Sequence, residues 1–483
     1  MEELIIFDPA LTRADRLVLE ELAQDIRHDS RHHGFEAAAT SRASPEKAAK
    51  RATNGRTTSR ANGQQASSTL AALKALNDPQ SADFEPAVFN TVDLIDLDLP
   101  KAVDQWLLRP YIHLAGKVIR HKTDVVMITH LLLYSVTTLP SVVVLFRNFT
   151  PLHGVLHFVM QVWFMGAYTI MMHQHIHQRG ILRKELALPD RLFPYVLDPL
   201  MGHTWNSYFY HHVKHHHVEG NGPNDLSSTI RYQRDSLPHF LHYYLRFFLG
   251  AWCELPLYFY RTKRYGYAVK AAFWEWSSYL FFYLCWTRLS AGATFFAMVL
   301  PFLLLRAGLM LGNWGQHAFV DDEDPDSDYR SSITLIDATV CHSAPSVVLP
   351  TYTARLRAPH PLAHSPPRET EMTDQRQSNR HCFNDGYHTS HHLNPLRHWR
   401  EHPGAFLRDK TVYAAEDALV FHNIDFIMIA VHLLRKDYAR IARCLVPMGP
   451  AQTAMTMDER EAMLRRHTRA FGDDEVRRKF PKA

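Results

Sequence analysis

The chain has 483 residues, of which 46% are hydrophobic and 21% are charged, so it is too long for one small module and too apolar to be disordered throughout. Its net charge of +4 argues against a dedicated nucleic-acid-binding protein, and we expect no nucleic-acid partner. Its five cysteines form no CxxC pair, which argues against a disulfide scaffold or a Cys-type zinc ribbon, whereas histidine is abundant at 32 residues.

The N-terminal region is predicted in two parts. Residues 1–27 form a short amphipathic segment, whereas residues 28–82 are mostly Ser, Ala, Arg, Asn, Gln and Thr, a composition that predicts disorder. Folded composition resumes at residue 83 and continues to residue 437. Residues 438–483 are predicted to be a charged C-terminal tail.

Four apolar segments predict two transmembrane helical hairpins. Residues 125–146 and 154–172 carry no formal charge, and crossing a bilayer core takes about 20 such residues. A second pair is predicted at about 268–287 and 290–312, interrupted by Glu275 and Arg306. Two more apolar segments, 237–259 and 418–434, contain charges, and either an interfacial position or a span is compatible with them. The predicted fold class is an all-α membrane protein, with the core helices of a soluble protein as the alternative.

Basic residues give the orientation of these hairpins. They flank both ends of the first hairpin, whereas the connector within each hairpin contains a single arginine. The positive-inside rule therefore places both ends of each hairpin, and with them both termini, in the cytosol. The flanking residues are Lys117, Arg120 and Lys122 before the first span and Arg179, Arg183 and Lys184 after the second.

Two stretches after the fourth span lack a regular pattern. Residues 321–328 form an acidic run that is predicted to be a solvated loop. Residues 340–377 are rich in Pro, Thr, Arg and His, and their codons can contain a splice donor, a branch point and an acceptor. We interpret this insert as a retained intron, with an ordinary disordered loop as the alternative.

Histidines recur in four short motifs at the cytosolic ends of the predicted spans. Their spacings of i, i+3 and i, i+4 place side chains on one face of a helix. The run 211–217 contains HxxxHH in two registers, beginning at either of its first two histidines. The motifs are His173/His177, HxxxHH within 211–217, Asn313/His317 and His388/His391/His392.

Since charge and spacing place these motifs on one side of the membrane, we predict that they share a metal centre. Nine histidines are too many for one zinc, which takes about four ligands, whereas ten nitrogen and oxygen donors suit two ions. Imidazole is compatible with iron, copper, nickel and zinc, so ligand type alone does not select the metal. Candidate partners that orient the rings are Asp225, Asp385, Asn384 and Glu219.

In these motifs the chain resembles the integral-membrane fatty acid desaturase and alkane hydroxylase superfamily, over about residues 120–400. The alkane hydroxylases have a proline and then an acidic residue after the second box, which matches Pro223 and Asp225 only if that box begins at His212. The resemblance implies a four-helix transmembrane bundle under a cytosolic cap, with two iron ions and O2 as co-substrate. The implied metal ligands are His173, His177, His212, His216, His217, Asn313, His317, His388, His391 and His392.

The resemblance also implies an O2-dependent oxidoreductase that modifies lipids. A fatty acid desaturase acting on a long acyl chain is the first interpretation, and a fatty acid or alkane hydroxylase with the same site is the alternative. No acid or base is assigned beside the metal centre. A histidine-rich membrane metal transporter or binding protein is the alternative from another class.

A partner must supply electrons to such a site. Residues 401–404 read EHPG and are followed by Ala405, which departs from the HPGG haem signature, so we expect no fused haem domain. The expected donor is a separate haem or iron–sulfur protein. The expected location is the endoplasmic reticulum membrane, with the metal site on the cytosolic side.

Overall fold

The computed structural model describes residues 5, 7, 11–40, 58–90, 93–97, 99–337 and 382–481, and it is predominantly helical. The predicted insert at 340–377 lies outside these residues. Within these described ranges, three helices are long and apolar enough to cross a membrane: span 1 (Val125–Arg147), span 2 (Pro151–Gln178) and span 3 (Ala291–Gln316). This agrees with the prediction of an apolar helical bundle, although the number of such helices differs from the predicted four.

Span 1 consists of two helical segments, Val125–Val136 and Thr138–Arg147. Pro140 has no N–H to donate to the carbonyl of Val136, which accounts for the break between the segments. The Thr137 hydroxyl donates to the carbonyl of Leu133 at 2.6 Å, and the same carbonyl accepts from the Thr137 backbone N–H at 3.0 Å. Together the two segments form one apolar helical stretch of 23 residues.

The start of span 1 lies next to the end of span 2. Ile119 and Leu182 form an antiparallel backbone bridge, and the Arg120 guanidinium donates to the carbonyl of Gln178 at 2.5 Å. The basic residues that were predicted to flank the hairpin thus lie together at one end of it. This geometry agrees with the predicted pairing of the first two spans.

The segment predicted as the third span behaves differently. Most of it lies in helix Tyr265–Leu284, and its end lies in the π-helix Cys285–Leu289 that follows. Helix Tyr265–Leu284 packs against helix Leu237–Arg261 through Tyr258, Phe259 and Ala271. Neither helix is among the three that are apolar enough to cross a membrane. Helix Tyr265–Leu284 contains Lys270 as well as Glu275, and these two charges lower its mean hydropathy.

The N-terminal region is helical over much of the segment predicted to be disordered. Helices Arg13–Thr40 and Thr58–Asn77 pack against helix His402–Ala415. Leu73 and Leu76 are buried there. They form a short apolar stripe on a helix that is otherwise polar, so the composition of the segment did not indicate a buried face. Lys410 joins this layer to the first helix through its ion pair with Glu21, at 2.9 Å.

The remaining elements form a cap at the end of span 3. Its small sheet pairs β1 (Thr334–Leu335) in parallel with β2 (Val420–Phe421), and β2 antiparallel with β3 (Leu445–Val446). Since β3 belongs to this sheet, residues after 437 are part of the cap, which differs from the predicted charged tail. The principal other helices are Arg109–Val118, Ala187–Leu197, Phe209–His216, His388–Leu393, Phe426–Leu434, Tyr438–Cys444, Met457–Arg466 and Asp473–Lys479.

Close packing fixes span 3 to the cap. A Cβ added at Gly315 would lie 2.1 Å from the carbonyl oxygen of Phe426, so only glycine allows this approach. Trp314 is fully buried beside it and donates from its indole nitrogen to the carbonyl of Arg234 at 3.0 Å. The contact positions the end of span 3, and therefore His317, against the cap.

Candidate metal centre

The last turn of span 2 directs two histidines towards the cap. His173 and His177 are buried, one turn apart, with ring centroids separated by 4.8 Å. His175 lies on another face, where its Nε2 is 3.0 Å from the carbonyl oxygen of Asp190 and its ring packs against Phe193. The i, i+4 pair is therefore separated from the histidine between its members.

The second histidine run is a π-helix, Phe209–His216. Its hydrogen bonds join residues five apart, so side chains at i and i+5 come together. The Nε2 atoms of His212 and His217 are 3.1 Å apart. His216 projects to the side and contacts His317 and His392. One short helix thus serves two separate groups of rings.

Two histidines of the same run stay outside those groups. The Nε2 of His215 accepts a hydrogen bond from the backbone N–H of Leu226 at 2.8 Å, and its ring packs on Tyr258. His211 packs on Phe247 with ring centroids 4.9 Å apart. The structure therefore distinguishes the two registers that the sequence left open.

The described histidines form two groups in which the nitrogen atoms that can bind a metal lie within 4.8 Å of one another. The short helix His388–Leu393 contributes to both groups. The five-histidine cluster consists of His173, His177, His212, His217 and His391, and the four-histidine cluster of His216, His317, His388 and His392.

The ring nitrogens of these clusters are arranged as metal ligands are. The Nε2 of His173 is 2.8 Å from that of His212 and 3.0 Å from that of His391. A neutral imidazole has one donor and one acceptor nitrogen, so these contacts cannot all be hydrogen bonds. The buried Nε2 atoms of His177 and His392 have no hydrogen-bond partner among the described residues. A cation in each cluster would bind such lone pairs, and the residues therefore fit two metal ions.

Several of these histidines contact an oxygen atom through Nδ1, the ring nitrogen that faces away from the cluster. Contacts from Nδ1 leave Nε2 directed at the cluster, which is how ligating histidines are oriented in metal sites. The Nδ1 contacts are His216 with Asp225 Oδ2 at 2.8 Å, His317 with the Ser331 carbonyl at 2.8 Å, His173 with Asp385 Oδ1 at 3.3 Å and His392 with Asp328 Oδ1 at 3.4 Å.

Burial controls protonation here. Desolvation, reinforced by the neighbouring imidazoles, holds the pKa of His212, His388 and His391 well below the usual value for histidine. These rings are therefore neutral at physiological pH, the form that binds metals. Burial alone would raise the pKa of the Asp225 carboxyl, but His216 and His215 outweigh it and hold that pKa well below its usual range.

Two of the four predicted partners contact cluster histidines, Asp225 and Asp385. Asn384 instead donates to the carbonyl of Trp399 at 2.9 Å, and Glu219 accepts from the Tyr258 hydroxyl. Asp328 was missed, because the acidic run in which it lies reads as a solvated loop. Its contact with His392 depends on tertiary packing, for which the spacing gave no signal.

Asn313 stands apart from the histidine groups. Its amide nitrogen donates to the Ser227 carbonyl at 2.9 Å and to the Tyr243 hydroxyl at 2.8 Å. The amide oxygen is the atom that remains to bind a metal. Asn313 lines the same cavity as His216 and His388.

A cavity of about 390 Å³ extends from the clusters between the helices. His173, His212, His216 and His388 line one part of it, whereas its walls elsewhere are mainly apolar side chains of spans 2 and 3 and of helix Leu237–Arg261. Its volume lies in the range of small-ligand sites. The arrangement suits an apolar chain whose reacting carbon lies beside the histidines.

Comparison with known proteins gives one family. The model of the fatty acid desaturase family matches residues 149–423, more than half of the chain and all four histidine motifs. No curated protein and no solved structure matches the chain.

Proposed function

Because the chain belongs to the fatty acid desaturase family, we propose that it is a membrane di-iron oxidoreductase that uses O2 to desaturate a long acyl chain. The observation that carries this proposal is the position of the two histidine clusters at one part of a largely apolar cavity. A desaturase needs both a metal centre and an apolar cavity, because the metal must lie close to an unactivated carbon chain. The family match over residues 149–423 includes all the residues of both clusters.

The five-histidine cluster would hold one iron ion, and the four-histidine cluster, with the amide oxygen of Asn313, the other. Bound iron would supply the redox chemistry, which is the activation of O2 with electrons from a donor and the removal of hydrogen from a C–H bond. Neutral imidazole is compatible with iron, and the family match favours iron over the other metals that these ligands accept.

The side chains prepare this site by fixing geometry. Asp225 and Asp385 hold the rings of His216 and His173, so their Nε2 atoms stay directed inward. Burial of His388 and His391 keeps bulk water from the reacting carbon. The apolar cavity walls hold the alkyl chain by hydrophobic contact and leave its methylene groups exposed to the clusters.

The overall reaction balances with O2, two electrons and two protons. Desaturation removes two hydrogen atoms from adjacent carbons, forms a C=C bond and releases two molecules of water. Hydroxylation with the same inputs inserts one oxygen atom into a C–H bond and releases one water. The two outcomes therefore differ in product and not in the electrons required.

A hydroxylase is the second candidate, and Asp225 favours it. This residue follows the second box at the spacing of the alkane hydroxylases, and it contacts His216 at 2.8 Å. A metal transporter is disfavoured, because the clusters are buried and the family match points to an oxidoreductase.

We propose that the protein lies in the endoplasmic reticulum membrane with both clusters on the cytosolic side. The basic residues at the joined ends of spans 1 and 2 support this orientation. A separate haem or iron–sulfur protein would deliver electrons there, and the substrate would be a long-chain lipid from the bilayer.

Expression in a host with a defined lipid profile tests the proposal. Mass spectrometry of the host lipids should show a new alkene, and purified protein should contain iron and consume O2 with a chemical reductant. The His391→Ala variant should lose the product, whereas His175→Ala, whose ring contacts Asp190, should retain it. Zinc in place of iron, without O2 consumption, would contradict the proposal, and a new alcohol would select the hydroxylase.

A further inference from the structure

An ion pair lies in the wall of the cavity, away from the histidine clusters. The Arg306 guanidinium donates to the Glu275 carboxylate, and the side chains are 11% and 7% exposed. Arg306 belongs to span 3 and Glu275 to helix Tyr265–Leu284. Both side chains line the same cavity as the clusters. We call these two residues the cavity ion pair.

Stability does not explain the cavity ion pair. Removing two charges from water costs about as much as their attraction returns, and well-packed apolar residues in their place are often neutral or stabilising. Arg306 lies within span 3, and ionisable side chains within membrane-spanning segments are rare and mark functional sites by default. A polar group that faces a substrate cavity is therefore better explained by a ligand than by helix association.

The two members of the cavity ion pair differ in how many of their hydrogen-bonding groups are already used. Glu275 accepts from Arg306, from the Tyr279 hydroxyl and, at 2.8 Å, from the Thr204 hydroxyl. Arg306 has five N–H donors, and it contacts this carboxylate and Tyr279. Its guanidinium also lies over the rings of Phe302, at 4.8 Å, and Phe247, at 6.0 Å. The carboxylate is occupied, whereas the guanidinium retains N–H groups for a ligand in the cavity.

The position of Arg306 along span 3 suits it to hold a lipid chain in place. It precedes Asn313 by seven residues, or about 10 Å along the helix axis. Apolar neighbours such as Leu304 and Leu305 line the cavity on the same helix. A charged side chain among these apolar neighbours can hold a chain in a single register, so that one carbon lies beside the histidines.

We infer that Arg306, held by Glu275, binds a neutral oxygen on the lipid chain, a carbonyl or a hydroxyl, and so positions the chain at the histidine clusters. This inference rests on the proposed function. A carboxylate fits less well, since it would place a second negative charge beside Glu275 in a medium of low dielectric constant. A neutral acceptor adds no charge and uses the donors that the guanidinium retains.

A binding experiment tests this inference without turnover. The probes are octadecane and octadecan-9-one, which have equal length and differ in one carbonyl, and their binding is measured by displacement of fluorescent cis-parinaric acid from the full-length protein in detergent. The wild type should prefer the ketone by roughly tenfold or more, since a hydrogen bond to a charged donor is among the stronger ones. The double variant Arg306→Met/Glu275→Gln, which leaves no unpaired charge, should bind the two probes equally.

The chain offers a matched control for this double variant. Arg246 and Glu254 form an exposed ion pair at 3.0 Å on helix Leu237–Arg261, and Arg246→Met/Glu254→Gln should keep the preference for the ketone. Equal affinities in the wild type, or a preference that survives in Arg306→Met/Glu275→Gln, would overturn the inference. Iron content and O2 uptake of the same preparations report on the proposed function separately, because neither enters the ratio of the two affinities.

Discussion

The two histidine clusters differ in how firmly their rings are held. In the four-histidine cluster, oxygen atoms contact the Nδ1 of His216, His317 and His392. The buried Nδ1 of its fourth member, His388, has no partner among the described residues. In the five-histidine cluster, the described Nδ1 contact belongs to His173, and the buried Nδ1 atoms of His177 and His217 have no partner among the described residues. One cluster thus has more ligands and the other has better-oriented ligands.

This difference indicates two ways to build a site for the same ion. Oriented rings lose little freedom when a metal binds, so fewer of them are enough. A larger set of less constrained rings can adjust, and can give up a position to O2 or to substrate. We expect the four-histidine cluster to be the more sensitive to any change in its surroundings.

Removal of a ligand should have the largest effect. His317→Ala should empty the four-histidine cluster and reduce lipid oxidation by more than roughly 100-fold, beyond the loss that removing an outer hydrogen-bond partner causes. His177→Ala should also abolish oxidation but retain more metal, because four histidines remain. Iron per chain and product formation measure both, and His175→Ala, outside both clusters, is the control. Equal metal loss in His317→Ala and His177→Ala would remove the distinction between the clusters.

Loss of a charged partner should come next. Asp225→Asn keeps the size of the side chain but removes the charge that faces His216, and we expect a 10- to 100-fold loss of iron affinity or activity, about the range for such partners. Asp385→Asn should cost less, since Asp385 lies 3.3 Å from His173 and is 21% exposed. Iron titration of the apoprotein compares the two variants. A larger effect of Asp385→Asn would reverse the proposed order.

Packing beneath the four-histidine cluster gives a third prediction. Gly315→Ala would force span 3 away from the carbonyl of Phe426, and overpacking of this kind destabilises by about 1–3 kcal/mol. Gly308→Ala, on the same helix with open space around it, should be neutral or slightly stabilising. Thermal unfolding in detergent compares these variants. Equal stability of the two would show that span 3 does not depend on this contact.

The smallest effect is expected at Asp328. Its carboxylate lies 3.4 Å from the Nδ1 of His392 and is 36% exposed, so water can replace part of the interaction. Asp328→Asn should lower iron affinity by only a few-fold, which is less than the loss expected for Asp225→Asn. Such a loss lies at or below the lower end of the roughly 10- to 100-fold range for residues that orient metal ligands. The same titration checks it. A loss as large as that of Asp225→Asn would mean that exposure does not weaken the contact.

Much of the membrane-spanning region could be predicted from the sequence, because long apolar runs and i, i+4 spacing are local signals. Span 2 contains the predicted run 154–172 and continues to Gln178, with His173 and His177 on one face. The π-helix is not a local signal of this kind: the spacing argument pairs residues four apart, whereas the structure brings His212 and His217 together at five. The backbone adopts this wider turn in a tertiary setting that spacing does not contain.

The other differences also arise from long-range packing. The stripe of Leu73 and Leu76 is short, and it becomes a core only against helix His402–Ala415. The run 268–287 has length enough for a span, but Lys270 and Glu275 lower its hydropathy. Asp328 reaches His392 across 64 residues of sequence, a contact that no local pattern encodes.

The central claim is that two separate clusters each hold an iron ion. Metal analysis by mass spectrometry of the wild type, His177→Ala and His317→Ala, purified in parallel after growth with iron, tests it most directly. We expect two iron ions per chain in the wild type, about one in His317→Ala and an intermediate value in His177→Ala. A single ion in the wild type, or zinc in its place, would contradict the claim.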